Sequence, residues 1–217
     1  MKLTVITAAG ILGATMMFSM GTAKADIVAP GGSVVPSAYV GLFPGSETLL
    51  ASVTGTYSNS QEFGAYRAAV YSNSNGTLDF VYDFNEDPTG QLSALESATM
   101  SMFAGFTTDV MFVVDSTQLV QPNNGFGAPS SVTRSADGNV VKFFFPVLGI
   151  GAGQASDTLI IRTNATSYTT GFYSIQDGQT SNLQGFQPSA VPEPGSIGIL
   201  GCALIGLAFL SRRSLKA

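Results

Sequence analysis

Five consecutive residues, Asp83-Phe84-Asn85-Glu86-Asp87, form the most concentrated polar cluster of the chain. Alternate oxygen-bearing side chains open a calcium loop, which makes Asp83, Asn85 and Asp87 candidate ligands for a divalent cation. A full EF-type loop needs Gly at its sixth position and Glu at its twelfth, and here those positions hold Pro88 and Ala94. The competing reading is a solvated loop at a strand end. Two carboxyls set across a cleft suffice to hydrolyse a glycoside. Thirteen acids between Asp26 and Ala190 offer many pairs, but the sequence sets no two across a cleft and provides no Trp to line a sugar subsite. No catalytic residue is assigned. Tyr57, Tyr66, Tyr71, Tyr168 and Tyr173 are candidates either for stacking on sugars or for packing between strands. Asn75-Gly76-Thr77 and Asn164-Ala165-Thr166 match the glycosylation acceptor pattern and read as ordinary turn residues.

Composition removes most other chemistries. The chain has 217 residues with no His, no Trp and one Cys. Without His there is no Ser-His-Asp or Cys-His nucleophile, no His-ligated zinc and no imidazole acting near neutral pH. Cys202 alone forms neither an internal disulfide nor an iron–sulfur site, and no cofactor is expected. Between Asp26 and Ala190, thirteen acidic residues face four basic ones, Arg67, Arg134, Lys142 and Arg162, for a net charge of −9. Nucleic acid and anionic lipid both require basic patches, so neither is an expected partner.

The elements that must position these groups are strands. From Thr77 to Phe84 the chain alternates, setting Leu78, Phe80, Tyr82 and Phe84 on one face and Thr77, Asp79, Val81 and Asp83 on the other, as in a half-buried strand. Ala65 to Tyr71 alternates similarly, and Ser72-Asn73-Ser74-Asn75-Gly76 between them predicts a hairpin. A second hairpin is expected from Ser131–Ser135 through Ala136-Asp137-Gly138 to Asn139–Phe145, where Pro146 stops the strand. Further strands are expected at Leu49–Tyr57, Ser97–Phe103, Thr108–Val114, Ser156–Arg162 and Ser167–Tyr173. Gln91 to Ser97 is the one place between the ends for a helical turn or two, in competition with a loop; Asp26 to about Pro36 reads as a lead-in, and Leu183 to Ala190 as a short stalk. The expected fold is all-β: an antiparallel β-sandwich or jelly-roll-like ectodomain, residues 26–190 with a core over about 37–186.

Both ends read as addresses. Lys2, an apolar run from Leu3 to about Met20, and Ala23-Lys24-Ala25 form a signal peptide over residues 1–25, with an expected cut between Ala25 and Asp26 and the general secretion machinery as partner. At the other end, Val191-Pro192-Glu193-Pro194 precedes a charge-free stretch over 195–211 and the basic cluster Arg212-Arg213-Ser214-Leu215-Lys216. The two prolines hold the chain extended outside the helical segment, open to a processing enzyme. Seventeen apolar residues are at the lower limit for a transmembrane helix, and the basic cluster is expected to stay cytoplasmic.

Those three parts in that order, over residues 191–217, resemble the PEP-CTERM sorting signal of Gram-negative bacteria. The resemblance implies recognition of Pro192, Glu193, Pro194, Arg212 and Arg213 by the membrane protease exosortase, with transient anchoring in the inner membrane through 195–211. Removal of the tail and transfer to the cell surface or medium would follow, and members of the family tend to accompany exopolysaccharide and biofilm production. Three functional classes stand. The first is a non-catalytic exported protein of the cell surface or extracellular polysaccharide matrix; the second is a carbohydrate-binding or adhesion module assisted by calcium; the third is a secreted carboxylate-type glycosidase.

Overall fold

The computed structural model describes residues 26–39, 43, 45–60, 63–89, 94–114 and 126–190. Residues 1–25, read above as a signal, and the apolar stretch 195–211 lie outside them. Among the described residues all regular structure is β, and no helix is long and apolar enough to cross a membrane.

Fourteen strands build two sheets. One sheet orders β2 (Ser37–Ala38), β7 (Thr108–Val113), β12 (Thr158–Thr163), β5 (Leu78–Glu86), β4 (Phe63–Ser72) and β3 (Thr48–Ser58), with β11 (Ala155–Ser156) and β8 (Phe126–Gly127) continuing beside the end of β5. The other orders β1 (Ser33–Val34), β9 (Ser131–Arg134), β10 (Val141–Phe144), β6 (Ser97–Met100), β13 (Tyr168–Asp177) and β14 (Gln179–Pro188). Both predicted hairpins form. Asn73 and Thr77 close the first through Asn73 N to Thr77 O at 3.0 Å, with Gly76 at φ 77°, where a side chain would be strained. In the second, Gly138 N donates to Ser135 O, and Pro146 turns the chain just beyond β10 by accepting from Gly149 N.

The core lies between the sheets. Leu78, Phe80, Tyr82 and Phe84 face inward as their alternation requires, against Phe103, Phe143, Phe145, Tyr173 and Ile175. Edge-to-face ring pairs Phe80–Phe103 and Phe84–Phe145 fix the packing. Among the described residues, every strand and every core side chain lies between Val28 and Pro188.

Several expectations change. β5 is not half-buried: its second face is covered too, with Asp79 at 0% exposure, Val81 at 1% and Asp83 at 2%. Val81 sits with Ala69, Met111, Val113 and Ile160 in a second apolar cluster over which Tyr39, Phe43 and Tyr71 pack. Asp26 to Pro36 is no loose lead-in, because Val28 is fully buried, Ile27 bridges Asp109 and β1 pairs with β9. Leu183 to Ala190 is no stalk either: most of it belongs to β14, which returns from Gly178 and buries Leu183 in the core. Leu95 is extended and bridges Ile150, where the sequence left a helical turn or a loop open; residues 91–93 lie outside the described set. The pairing is not wholly antiparallel. Two-residue strands β2 and β8 lie parallel to β7 and β11, as short edge segments whose chain runs on instead of turning back.

Candidate functional site

The largest concentration of charge is on the covered face of the first sheet. Register sets Asp79 of β5, Arg162 of β12 and Asp109 of β7 side by side across three strands. Arg162 Nε donates to Asp79 Oδ2 at 2.8 Å and its Nη2 to Glu47 Oε1 at 2.6 Å, while its guanidinium lies 5.3 Å from the centre of the Tyr39 ring. Burial, with Asp79 adding to it, pushes the Glu47 carboxyl up to about 7 against the pull of Arg162. Burial also raises Asp79 and Asp109. Desolvated carboxyls that share one guanidinium hold each other's protons, which suits a structural ion network.

Asp83, Asn85 and Asp87 do not converge. Glu86 still belongs to β5, so Asp83 and Asn85 stand on the outer face of a strand, roughly 6–7 Å apart by strand rise. The solvated-loop reading fails with the calcium loop, because the sheet runs on through most of the segment. Asp83 pairs with Arg67 at 2.7 Å, Asn85 Oδ1 accepts from Ala65 N at 2.8 Å, and Asp87 Oδ1 accepts from Thr89 N and Oγ1, which lowers its pKa. Among the described residues no three acidic side chains form a group that could hold a metal.

Glu86 takes the inward side of β5, beyond Phe84, where it is fully buried. Its carboxyl accepts from the Tyr57 hydroxyl, which also reaches Asn85 O at 2.9 Å. Burial first, then Asp177 and Asp87, raise it to about 7 although the tyrosine hydrogen bond opposes them. Two shallow clefts flank this corner. One, of about 380 Å³, is lined by Thr56, Tyr57, Phe63, Gly64, Asn85 and Asp87, among others. The other, of about 350 Å³, has Ser58, Asn59, Tyr66, Thr180, Ser181 and Asn182 in its wall, and Asn59 Nδ2 bridges to Ser181 Oγ at 2.9 Å across the edges of the two sheets. Hydroxyls and amides dominate the second wall, the first is more apolar, with Phe63, Gly64 and Ala65 in it, and Asp87 is the only ionisable carboxyl of the two.

Of the five tyrosines, Tyr57, Tyr66 and Tyr173 are buried and pack in the core, Tyr57 and Tyr66 keeping an edge in the cleft walls; Tyr71 and Tyr168 are half-buried. Asn75 and Asn164 do lie at turns, where Asn164 Oδ1 accepts from Thr107 N at 2.9 Å. The three described arginines, Arg67, Arg134 and Arg162, are all committed internally. Arg134 is buried and donates to the carbonyls of Val28, Phe103, Phe106 and Gly138, leaving Lys142 as the remaining base of residues 26–190. Lys142 Nζ sits 4.8 Å over the Phe144 ring on the open face of the second sheet.

The sequence singled out neither Arg162 nor Glu47, and only β5's alternation touched Asp79. A charge inside the apolar run Leu159-Ile160-Ile161-Arg162 was the available signal, since a buried arginine demands a carboxylate. Ala23, Ala25, Pro192, Glu193, Pro194, Arg212 and Arg213 lie outside the described residues, whereas Asp26 is described and buried. Compared with protein-family models, with curated proteins and with solved structures, the chain matches none.

Proposed function

We propose that this chain is an exported, non-catalytic component of the cell surface or extracellular polysaccharide matrix, delivered as a jelly-roll-like β-sandwich ectodomain. In this reading residues 1–25 direct secretion, and residues 191–217 hold the precursor in the inner membrane until exosortase removes them at the motif containing Pro192, Glu193 and Pro194. One observation carries it: the two ends of the described body leave from the same end of the molecule. Val28 N bonds to Thr108 O at the start of β7, Thr108 pairs with Thr163 at the end of β12, and Ser189 N bonds to Ser167 O just before β13. A body whose two ends emerge together suits a precursor attached through both to one membrane. The carboxylates fit a non-catalytic role as well, since Asp79, Asp83 and Glu86 are sunk in the sheets and engaged by Arg162, Arg67 and Tyr57.

A second reading, a carbohydrate-binding or adhesion module, is favoured by the hydroxyl- and amide-lined cleft of Ser58, Asn59, Thr180, Ser181 and Asn182, whose chemistry suits neutral sugars. Incubating residues 26–190 with the producing organism's own polysaccharide, with and without chelator, separates the classes. A matrix component leaves reducing ends unchanged, and its deletion alters floc or biofilm structure. Saturable retention would support the binding module, and loss of that retention in chelator would bring calcium back in. Steady release of reducing ends would overturn the non-catalytic reading.

A further inference from the structure

Around Arg162 the charges do not balance. Asp79, Glu47 and Asp109 all act on this one guanidinium, and Asp26 adds a fourth carboxyl next to Asp109. From the elements packed against Asp109 the charged groups are Arg162 of β12, Asp79 of β5 beyond it, and Asp26 of the N-terminal segment. Arg162 is spent on Asp79 and Glu47 through its two close contacts.

Asp109 accepts instead from a main-chain nitrogen: Asp26 N lies 2.6 Å from Asp109 Oδ1. Asp26 is fixed on two further sides. Its Oδ2 accepts from Ser37 N at 2.6 Å and its carbonyl from Val110 N at 3.2 Å, which leaves it 8% exposed. This nitrogen belongs to the residue at which the signal segment is expected to end.

We propose that the α-ammonium freed by cutting between Ala25 and Asp26 is the second cation of this cluster, held by Asp109, so that signal removal completes the fold. The proposal rests on the export reading given above. Hydrolysis of the Ala25–Asp26 amide takes one water: the hydroxyl goes to the Ala25 carbonyl and the hydrogen to Asp26 N, which then gains a proton from solvent. An uncharged amide donor becomes a charged one at the same position, and charge-assisted hydrogen bonds are roughly twice as strong as neutral ones. Asp26 is too buried in the docked arrangement to be reached by a protease, so the cut precedes docking of this segment. Burial and the neighbouring Asp26 and Asp79 hold the Asp109 carboxyl above its ordinary value, the environment in which an added ammonium gains most.

The test compares residues 26–190 released from a fusion so that Asp26 is the first residue with the same chain retaining Ala25 under an acetyl cap. Urea unfolding at pH 6.5 is expected to favour the Asp26-first chain by about tenfold in the folding equilibrium, or ~1.4 kcal/mol. Asp109→Asn should erase that difference. Pairing with an ionised Asp109 is expected to raise the ammonium's pKa on folding, so its contribution should be present below about pH 8, the ordinary α-amino range, while Asp109 stays ionised, and fade as pH rises through the folded value. Equal stability of the two chains, or a difference that survives Asp109→Asn, overturns the proposal. Should Asp109→Asn fail to fold, NMR titration of the Asp26 amine decides: a value above the ordinary range supports the pair and one at or below it removes it. N-terminal sequencing of the exported protein judges the export reading separately. A start other than Asp26 there would end the biological role even where the pair forms in vitro.

Discussion

Arg162 donates to Asp79 across the β12–β5 register at 2.8 Å, and Asp79 has no solvent exposure. A carboxylate that deep stays ionised only while its cation is present. Replacing Arg162 by Met is expected to cost residues 26–190 about 3–5 kcal/mol, the usual penalty for leaving one member of a buried pair behind. Arg162→Lys should recover only part of it, because an ammonium cannot reach Asp79 and Glu47 with the same planar fork. Urea denaturation with an unchanged m-value checks both. A loss under about 1 kcal/mol for Arg162→Met would mean that the network is solvated and dispensable.

The inward face of β5 was legible because a period of two names one face of a strand without further information. What lies over the other face depends on where Tyr39, Phe43 and Tyr71 pack, and no pattern inside β5 specifies that. The pairing of Arg162 with Asp79 and Glu47 was hidden for a related reason: it is created by strand register and joins residues far apart in the chain. β14 escaped notice because Gln, Asn, Ser and Gly dominate it, and alternation then has little hydrophobic contrast to show. Of its inward positions Ser181, Leu183 and Gly185, two are small, and a side chain at Gly185 would meet Tyr173 and Tyr82. The Asp177-Gly178 pair, with Gly178 at φ 60°, was the available hairpin signal.

Acidity should stabilise the folded chain before it harms it. Burial lifts Glu86 and Glu47 from 4.5 to about 7 and Asp157 from 3.8 to about 6. Between those limits the folded chain retains protons that the unfolded chain has released, so stability falls as pH rises from about 4.5 to 7 and levels off above. Asp87 and Asp137 are lowered by hydrogen bonds and act oppositely, with stability lost below about pH 4. Glu86→Gln keeps an acceptor for Tyr57 and should gain about 1–3 kcal/mol at pH 8 while flattening the slope from pH 4.5 to 7. Unfolding curves across that range check it, and a slope identical to that of the natural chain would contradict the buried-acid assignment.

Met102 supplies a gain of a different kind. It is the one described non-glycine residue with positive φ, at 72°, and its side chain is half exposed in the turn after β6. The left-handed conformation costs an L-residue about 1–2 kcal/mol, whereas glycine gives back roughly 0.5–1 through the freedom of its unfolded chain. Met102→Gly is therefore expected to raise stability by about 0.5–1 kcal/mol, or a couple of degrees in melting temperature for a chain of this size. A melting point lower than that of the natural chain would mean that the Met102 side chain packs against something it needs.

The tail prediction joins sequence to geometry. β14 ends at Pro188 and Ser189 still bonds to Ser167, so only Ala190 and Val191 separate the folded body from Pro192. If the tail is cut at the membrane, the protease must take its substrate beside a rigid domain, and Pro192-Glu193-Pro194, which its prolines predict to be extended, is the segment it would grip there. Glu193→Ala is expected to accumulate full-length precursor in the membrane fraction and to deplete the released ectodomain, with the folded body unchanged in its urea midpoint. The same accumulation is expected in a host lacking the protease. Lengthening the spacer with a few Gly-Ser residues before Val191 should leave release intact, since it adds access without touching the motif. Fractionation and blotting of the three strains checks this, and normal release from both the Glu193→Ala chain and the protease-deficient host would show that the tail is a plain anchor cut by another route.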